Sequence, residues 1–122
     1  MSKIYFVSGH RELTEEEFKK HYEQKLFEAV NEESSFVVGD NKGADTLAQK
    51  YLKALMADVT VYHRSNYPEY SAFNKTMGNF YSQNECDIAM TANSSADIAW
   101  VRPGNEKSST YMNIQRRRKS NG

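Results

Sequence analysis

The sequence predicts an α/β protein, with a central parallel sheet of about four strands between two layers of helix. Three observations carry that expectation. Four short apolar runs stand at residues 3–7, 35–39, 58–62 and 97–101, each of a length suited to a strand. The stretches between them repeat apolar residues every three or four positions, as helices buried along one side do. The runs themselves do not alternate polar with apolar, so both faces of the sheet are covered, as in parallel sheets. Strand and helix therefore alternate along the chain, and right-handed crossovers reduce the topologies to a few Rossmann-like orders. With order 3-2-1-4 the chain reverses direction between the first and last strands. The loops after those two strands then flank the crevice where such sheets bind ligands.

The elements follow in order. "KIYFVSG" reads as a buried strand, Lys3 to Val7, ending at Gly9. In "LTEEEF", Thr14 caps a helix and Glu17 holds the reciprocal capping-box position. Phe18, Tyr22, Leu26 and Val30 continue that helix at spacing four to about Val30. "SFVVGD" is the second strand. "GADTLAQKYLKALM" is a helix with Ala44, Leu47, Ala48, Tyr51, Leu52 and Leu55 in one stripe, and "DVTVY" is the third strand. Pro68 opens a longer third helix, in which Phe73, Met77, Phe80, Tyr81, Asn84 and Ile88 recur at helical spacing and "CDIAMT" forms the end. "ADIAWV" is the last strand, and "STYMNIQRRRK" is a helix that dissolves into "SNG". The reading is one domain over residues 1–118 and a disordered tail over 119–122.

At 122 residues the chain has room for one domain. It is 39% hydrophobic and 26% charged, a globular balance. Its formal net charge is zero, so no overall field draws it to nucleic acid or an anionic membrane. Cys86 is the single cysteine; with no apolar run of spanning length and no leader-like start, a cytoplasmic protein is expected. The histidines, His10, His21 and His63, are scattered without cysteine or carboxylate clusters. Neither a metal nor a cofactor is expected. "RRRK", Arg116 to Lys119, reads better as a basic helix end favouring its own dipole than as a nucleic-acid contact.

Three loops carry the chemistry. "SGHR", Ser8 to Arg11, joins a glycine that admits close backbone approach to two charge-assisted donors, His10 and Arg11; an ordinary turn with solvated side chains is the plainer alternative. "GDNKGAD" places Gly39, Asp40, Lys42 and Gly43 before a helix start, where unpaired N–H groups attract anions. Asp45, in the first turn, either caps that helix or accepts from a ribose hydroxyl. "RPGNEKSST" sets Arg102, Gly104 and Lys107 before Ser108, Ser109 and Thr110. It lacks Walker-type spacing, yet it converges a cation and three hydroxyls on one helix start. A simple cap needs only one of those hydroxyls. Asp87, Met90, Thr91 and Ser94 share one helix face, opposite the apolar stripe; there Asp87 can meet a sugar or base, or the face is simply solvated.

Taken together, "SGHR", "GDNKGADTLA" and "DIAWVRPGNEKSST" resemble the SLOG superfamily, the Rossmann-like domains related to the DNA-processing protein A and Lonely Guy families. The resemblance covers nearly the whole chain up to "RRRK". It implies a site for a nucleotide or nucleotide-derived ligand, and some members cleave the N-glycosidic bond of nucleoside 5′-monophosphates. The hydrolytic branch carries PGGxGTxEE, whose glutamate acts at the sugar. Here "PGNEKSSTYMN" puts Met112 and Asn113 at those positions. An oxocarbenium-like transition state needs a carboxylate near the anomeric carbon, and Asn113 has none to give. Asp40, Asp45, Glu85 and Asp87 are the acids that can replace it.

The expectation is therefore a SLOG-like domain that binds a phosphorylated nucleotide or nucleotide-derived signal. Lys107, Ser108, Ser109 and Thr110 would cradle phosphate, with Arg11 and Lys42 assisting. The alternative is a nucleoside 5′-monophosphate N-glycosidase with a relocated carboxylate. A third reading is an assembly subunit whose crevice is vestigial. The two open edges of such a sheet make homo-oligomers an expectation under all three.

Overall fold

The computed structural model describes residues 3–121, with side chains through Lys119. Five parallel strands form one sheet: β1 (Ile4–Ser8), β2 (Ser35–Val38), β3 (Asp58–Tyr62), β4 (Thr76–Met77) and β5 (Ala96–Ala99). Their order is β4-β3-β2-β1-β5. The register pairs Phe6 with Val37 on one side and with Asp97 on the other. The expected 3-2-1-4 order is present, and β4 adds a short edge strand beside β3.

Successive strand residues point to opposite faces, and both faces are packed. Val7, Phe36, Val38, Val59, Val61 and Ile98 pack with Phe18, Tyr22, Leu26, Ala48 and Leu52. These last five come from α1 (Glu15–Phe18), α2 (Gln24–Asn31) and α3 (Ala44–Ala54), and from the π-helical turn Lys19–Glu23 that joins α1 to α2. On the other face Phe6, Val37 and Tyr62 meet Cys86 and Met90 of α4 (Gln83–Ala92). The last helix, α5 (Ser109–Asn121), packs against α4 and β5.

The capping box closes as the sequence predicts. Glu17 N–H donates to Thr14 Oγ1 at 3.1 Å, and Thr14 N–H donates to Glu17 Oε1 at 3.0 Å. The π turn is an addition to the expected helix. A strict spacing of four overshoots the 3.6-residue α turn, and the wider π turn takes up the excess. Phe18, Tyr22 and Leu26 thereby stay on one buried line.

The segment after β3 departs from expectation. The long helix from Pro68 is absent, and residues 63–82 are irregular apart from β4. Met77 is 44% exposed and Tyr81 93% exposed, so the supposed apolar stripe is no stripe. Gln49, fully buried on α3, holds the segment instead. Its Oε1 accepts from Ala72 N–H at 2.9 Å, and its Nε2 donates to the Tyr70 and Gly39 carbonyls. Helix begins only where Ser82 Oγ can accept from Glu85 N–H. The Asp87, Met90 and Thr91 face of α4 is the buried one, while Ile88 is half exposed. At the other end α5 stays helical to Asn121, through the stretch expected to be a tail from Lys119; Gly122 lies outside the described residues.

Candidate functional site

The carboxyl ends of β1 and β5 are tied together by one side chain. The Tyr22 hydroxyl donates to the Ser8 carbonyl at 2.7 Å and accepts from Trp100 N–H at 3.1 Å. Burial raises its pKa well above the ordinary phenol range. Gly9 is required beside it, because a Cβ there would run into the Tyr22 hydroxyl and the Ala44 Cβ. Around this junction lies a cleft of ≈ 160 Å³. Ser8, Gly9 and Arg11 supply one wall from the end of β1. Gly39, Asn41 and Asp45 come from the β2–α3 turn, and Arg64 from just past β3. Gln83 and Asp87 of α4 face Ser109, Thr110 and Asn113 of α5.

Both acids that line it, Asp45 and Asp87, are buried. Asp45 Oδ2 accepts from Asn41 N–H at 3.1 Å, which closes the turn at Gly43. Burial pushes its pKa up to about 7; the Asn41 hydrogen bond opposes this, and the charges of Asp87 and Asp40 add to it. Asp87 Oδ1 accepts from Gln83 Nε2 at 2.8 Å, and the Asn113 side chain lies close enough to help hold its carboxyl down. Burial raises its pKa too, against the opposing pull of Gln83 and Asn113. Gly39 leaves room for this arrangement, since a Cβ would approach Asp45 Oδ2 to 2.7 Å.

On the opposite side α5 opens. Ser108 Oγ accepts from Tyr111 N–H at 3.2 Å and so caps the helix. The N–H groups of Ser109 and Thr110, at the helix start, have no intrahelical acceptor. Arg11 and Arg64 are exposed at the rim, and neither is in a salt bridge among the described residues. Ser8 Oγ is buried without a hydrogen-bond partner.

Several residues singled out in the sequence lie elsewhere. Gly104, Lys107 and Ser108 line a separate, shallow depression with Asn105 and Glu106. Lys42 is exposed outside the cleft, and Gly43 serves its turn at φ +76°. Asp40 Oδ2 accepts from Glu69 N–H at 2.7 Å and anchors the long segment after β3. Arg102 makes a two-pronged pair with Glu17, at 2.7 and 3.0 Å. That hydrogen bond, chiefly, holds the Glu17 carboxyl down to about 2. His10 Nε2 accepts from Arg102 N–H at 2.9 Å, and burial lowers its pKa, as a neutral acceptor requires. His10 and Arg102 thus fasten the first loop to the last.

Sequence reasoning misses Arg64, Asn41 and Gln83. Arg64 has a signal, since "VYHR" ends β3 much as "SGHR" ends β1. Gln83 has none, because apolar spacing puts the residues around it in the middle of a helix. Burial pushes the Cys86 thiol up to about 12, which leaves it unreactive as a nucleophile. Among the described residues no group of three or more His, Cys, Asp or Glu side chains can hold a metal, and no helix is long and apolar enough to cross a membrane. No protein-family model, curated protein or solved structure matches this chain.

Proposed function

We propose that the chain is a SLOG-like domain that binds a phosphorylated nucleotide or nucleotide-derived signal in this cleft. One observation carries the reading. The open first turn of α5 and the buried, unpartnered Ser8 hydroxyl line the same cavity as the buried carboxylates of Asp45 and Asp87. A helix N-terminus with Arg11 and Arg64 at the rim favours an anion. Buried carboxylates need hydrogen-bond donors, which sugar hydroxyls and base amines supply. A nucleoside phosphate carries both chemistries at opposite ends. Mass spectrometry of small molecules released by heat from the purified protein tests this, with an intact nucleotide expected. If nothing is released and calorimetry detects no binding of any phosphorylated nucleoside, the reading fails.

A second reading is an N-glycosidase, and the contact between Asp87 and Asn113 favours it. Asn113 stands where the resemblance would put a glutamate, and the Asp87 carboxylate lies beside it. Asp45, near 7, can hold a proton for a leaving base while Asp87 faces the developing charge on the sugar. Release of free base from nucleoside 5′-monophosphates that disappears in Asp87→Asn supports the hydrolase, and no release leaves the binder. We further propose self-association through an open sheet edge, to be checked by sedimentation velocity.

A further inference from the structure

Beside the cleft, a groove of ≈ 150 Å³ runs between α4 and α5. Gln83, Asp87, Ser109 and Asn113 line both, so the two are compartments of one depression, meeting at those residues. Asn84, Met112 and Arg116 belong to the groove alone.

Arg116 sets the orientation of the amides there. Its Nη1 donates to Asn113 Oδ1 at 2.6 Å, and its Nη2 donates to Asn84 Oδ1 at 3.2 Å. A guanidinium has donors only, so it takes the oxygen of each amide and turns each NH2 away from itself. Asn113 lies beside Asp87, and its NH2 is thereby the group turned toward that carboxylate. The Asn84 NH2 becomes a donor offered by the groove. Met112, 54% exposed, adds a flexible, polarisable thioether of the kind that packs well against aromatic rings.

We propose that this groove is the nucleobase subsite of the ligand. The base lies against Met112, and the Asn84 NH2 donates to a ring nitrogen or carbonyl oxygen on its edge. Arg116 is a positioning residue. The proposal rests on the cleft taking the phosphate and sugar of the ligand, the phosphate toward Arg11, Arg64 and the first turn of α5 and the sugar toward Asp45 and Asp87, so that the base passes the shared wall into the groove.

The test uses the full chain and two probes, a nucleoside 5′-monophosphate and ribose 5-phosphate, measured by calorimetry. Met112→Ala is expected to weaken the nucleotide about two- to tenfold, the range of a sulfur–aromatic contact, and to leave ribose 5-phosphate unchanged. Asn84→Asp, which turns the donor into an acceptor, is expected to do the same. Arg116→Lys keeps the charge without the fork and is expected to weaken the nucleotide at constant ribose 5-phosphate affinity. Unchanged nucleotide affinity in both Met112→Ala and Asn84→Asp, or equal losses for the two probes, overturns the proposal. Wild-type protein that binds ribose 5-phosphate as tightly as the nucleotide also ends it, while the phosphate reading stands. Wild-type protein that binds neither ends both.

Discussion

Two strand–turn–helix units on the same edge of the sheet, β2–α3 and β5–α5, look alike in sequence and end differently. Each has a glycine at positive φ before its helix, Gly43 at +76° and Gly104 at +92°. The β2–α3 turn is closed from outside. The His10 carbonyl accepts from Ala44 N–H at 3.1 Å, at the start of α3, and Asp45 is buried just behind it. The β5–α5 turn has no such plug, and Ser109 and Thr110 face the cleft. A glycine before a helix start therefore leaves N–H groups open to a ligand only where no other loop has already taken them. One turn contributes acid to the cleft and the other contributes donors.

The largest expected effect breaks the closed turn. Gly43→Ala would drive its Cβ into the Arg11 carbonyl oxygen at a strained φ. Overpacking and positive-φ strain together are expected to cost about 2–5 kcal/mol, read as a lower urea midpoint. A Cβ at Gly104 would meet nothing within 4 Å, so Gly104→Ala is expected to cost only the φ strain, about 1 kcal/mol. Equal costs at the two sites would remove the distinction between a plugged and an open turn.

Next comes the acid in the closed turn. Asp45 titrates near 7 in the fold against an ordinary 3.8. Between those values the folded chain keeps a proton that the unfolded chain has released. Stability therefore falls as pH rises through that window and is flat above it. Asp45→Asn keeps an acceptor for Asn41 N–H and removes the ionisation. It is expected to flatten the slope and to stabilise the protein at pH 8 by on the order of 2–4 kcal/mol. Urea unfolding at pH 5 and pH 8 measures both, and an unchanged slope would show that Asp45 is not its source.

The open side is sharpened by two cations. Arg64→Ala is expected to weaken a phosphorylated ligand roughly tenfold or more, for loss of a charge-assisted contact of about 1.5–3 kcal/mol. Lys107→Ala, outside the cleft, is the smallest effect, with calorimetric affinity expected to stay at the wild-type value. The reverse ranking would move the phosphate to the Gly104–Ser108 surface.

Much of this molecule is legible in the sequence because it is local. Short apolar runs and helical stripes define β1, β2, β3, β5 and α3, and Thr14 with Glu17 writes a cap into adjacent residues. Right-handed crossovers then leave few orders, and the observed order is the one preferred. What the sequence could not disclose depends on partners far along the chain. Gln49 holds residues 70 and 72 out of a helix through hydrogen bonds that span more than twenty positions, and no periodicity in "YSAFNKTMGNF" registers them. Arg102 and His10 look like ligand donors in the sequence, because their pairing with Glu17 and with each other exists only once the first and last loops meet. Residue type decided which groups can bind an anion. Only the tertiary structure decided which of them were already engaged, since hydrogen bonds and ion pairs are satisfied in space and not along the chain.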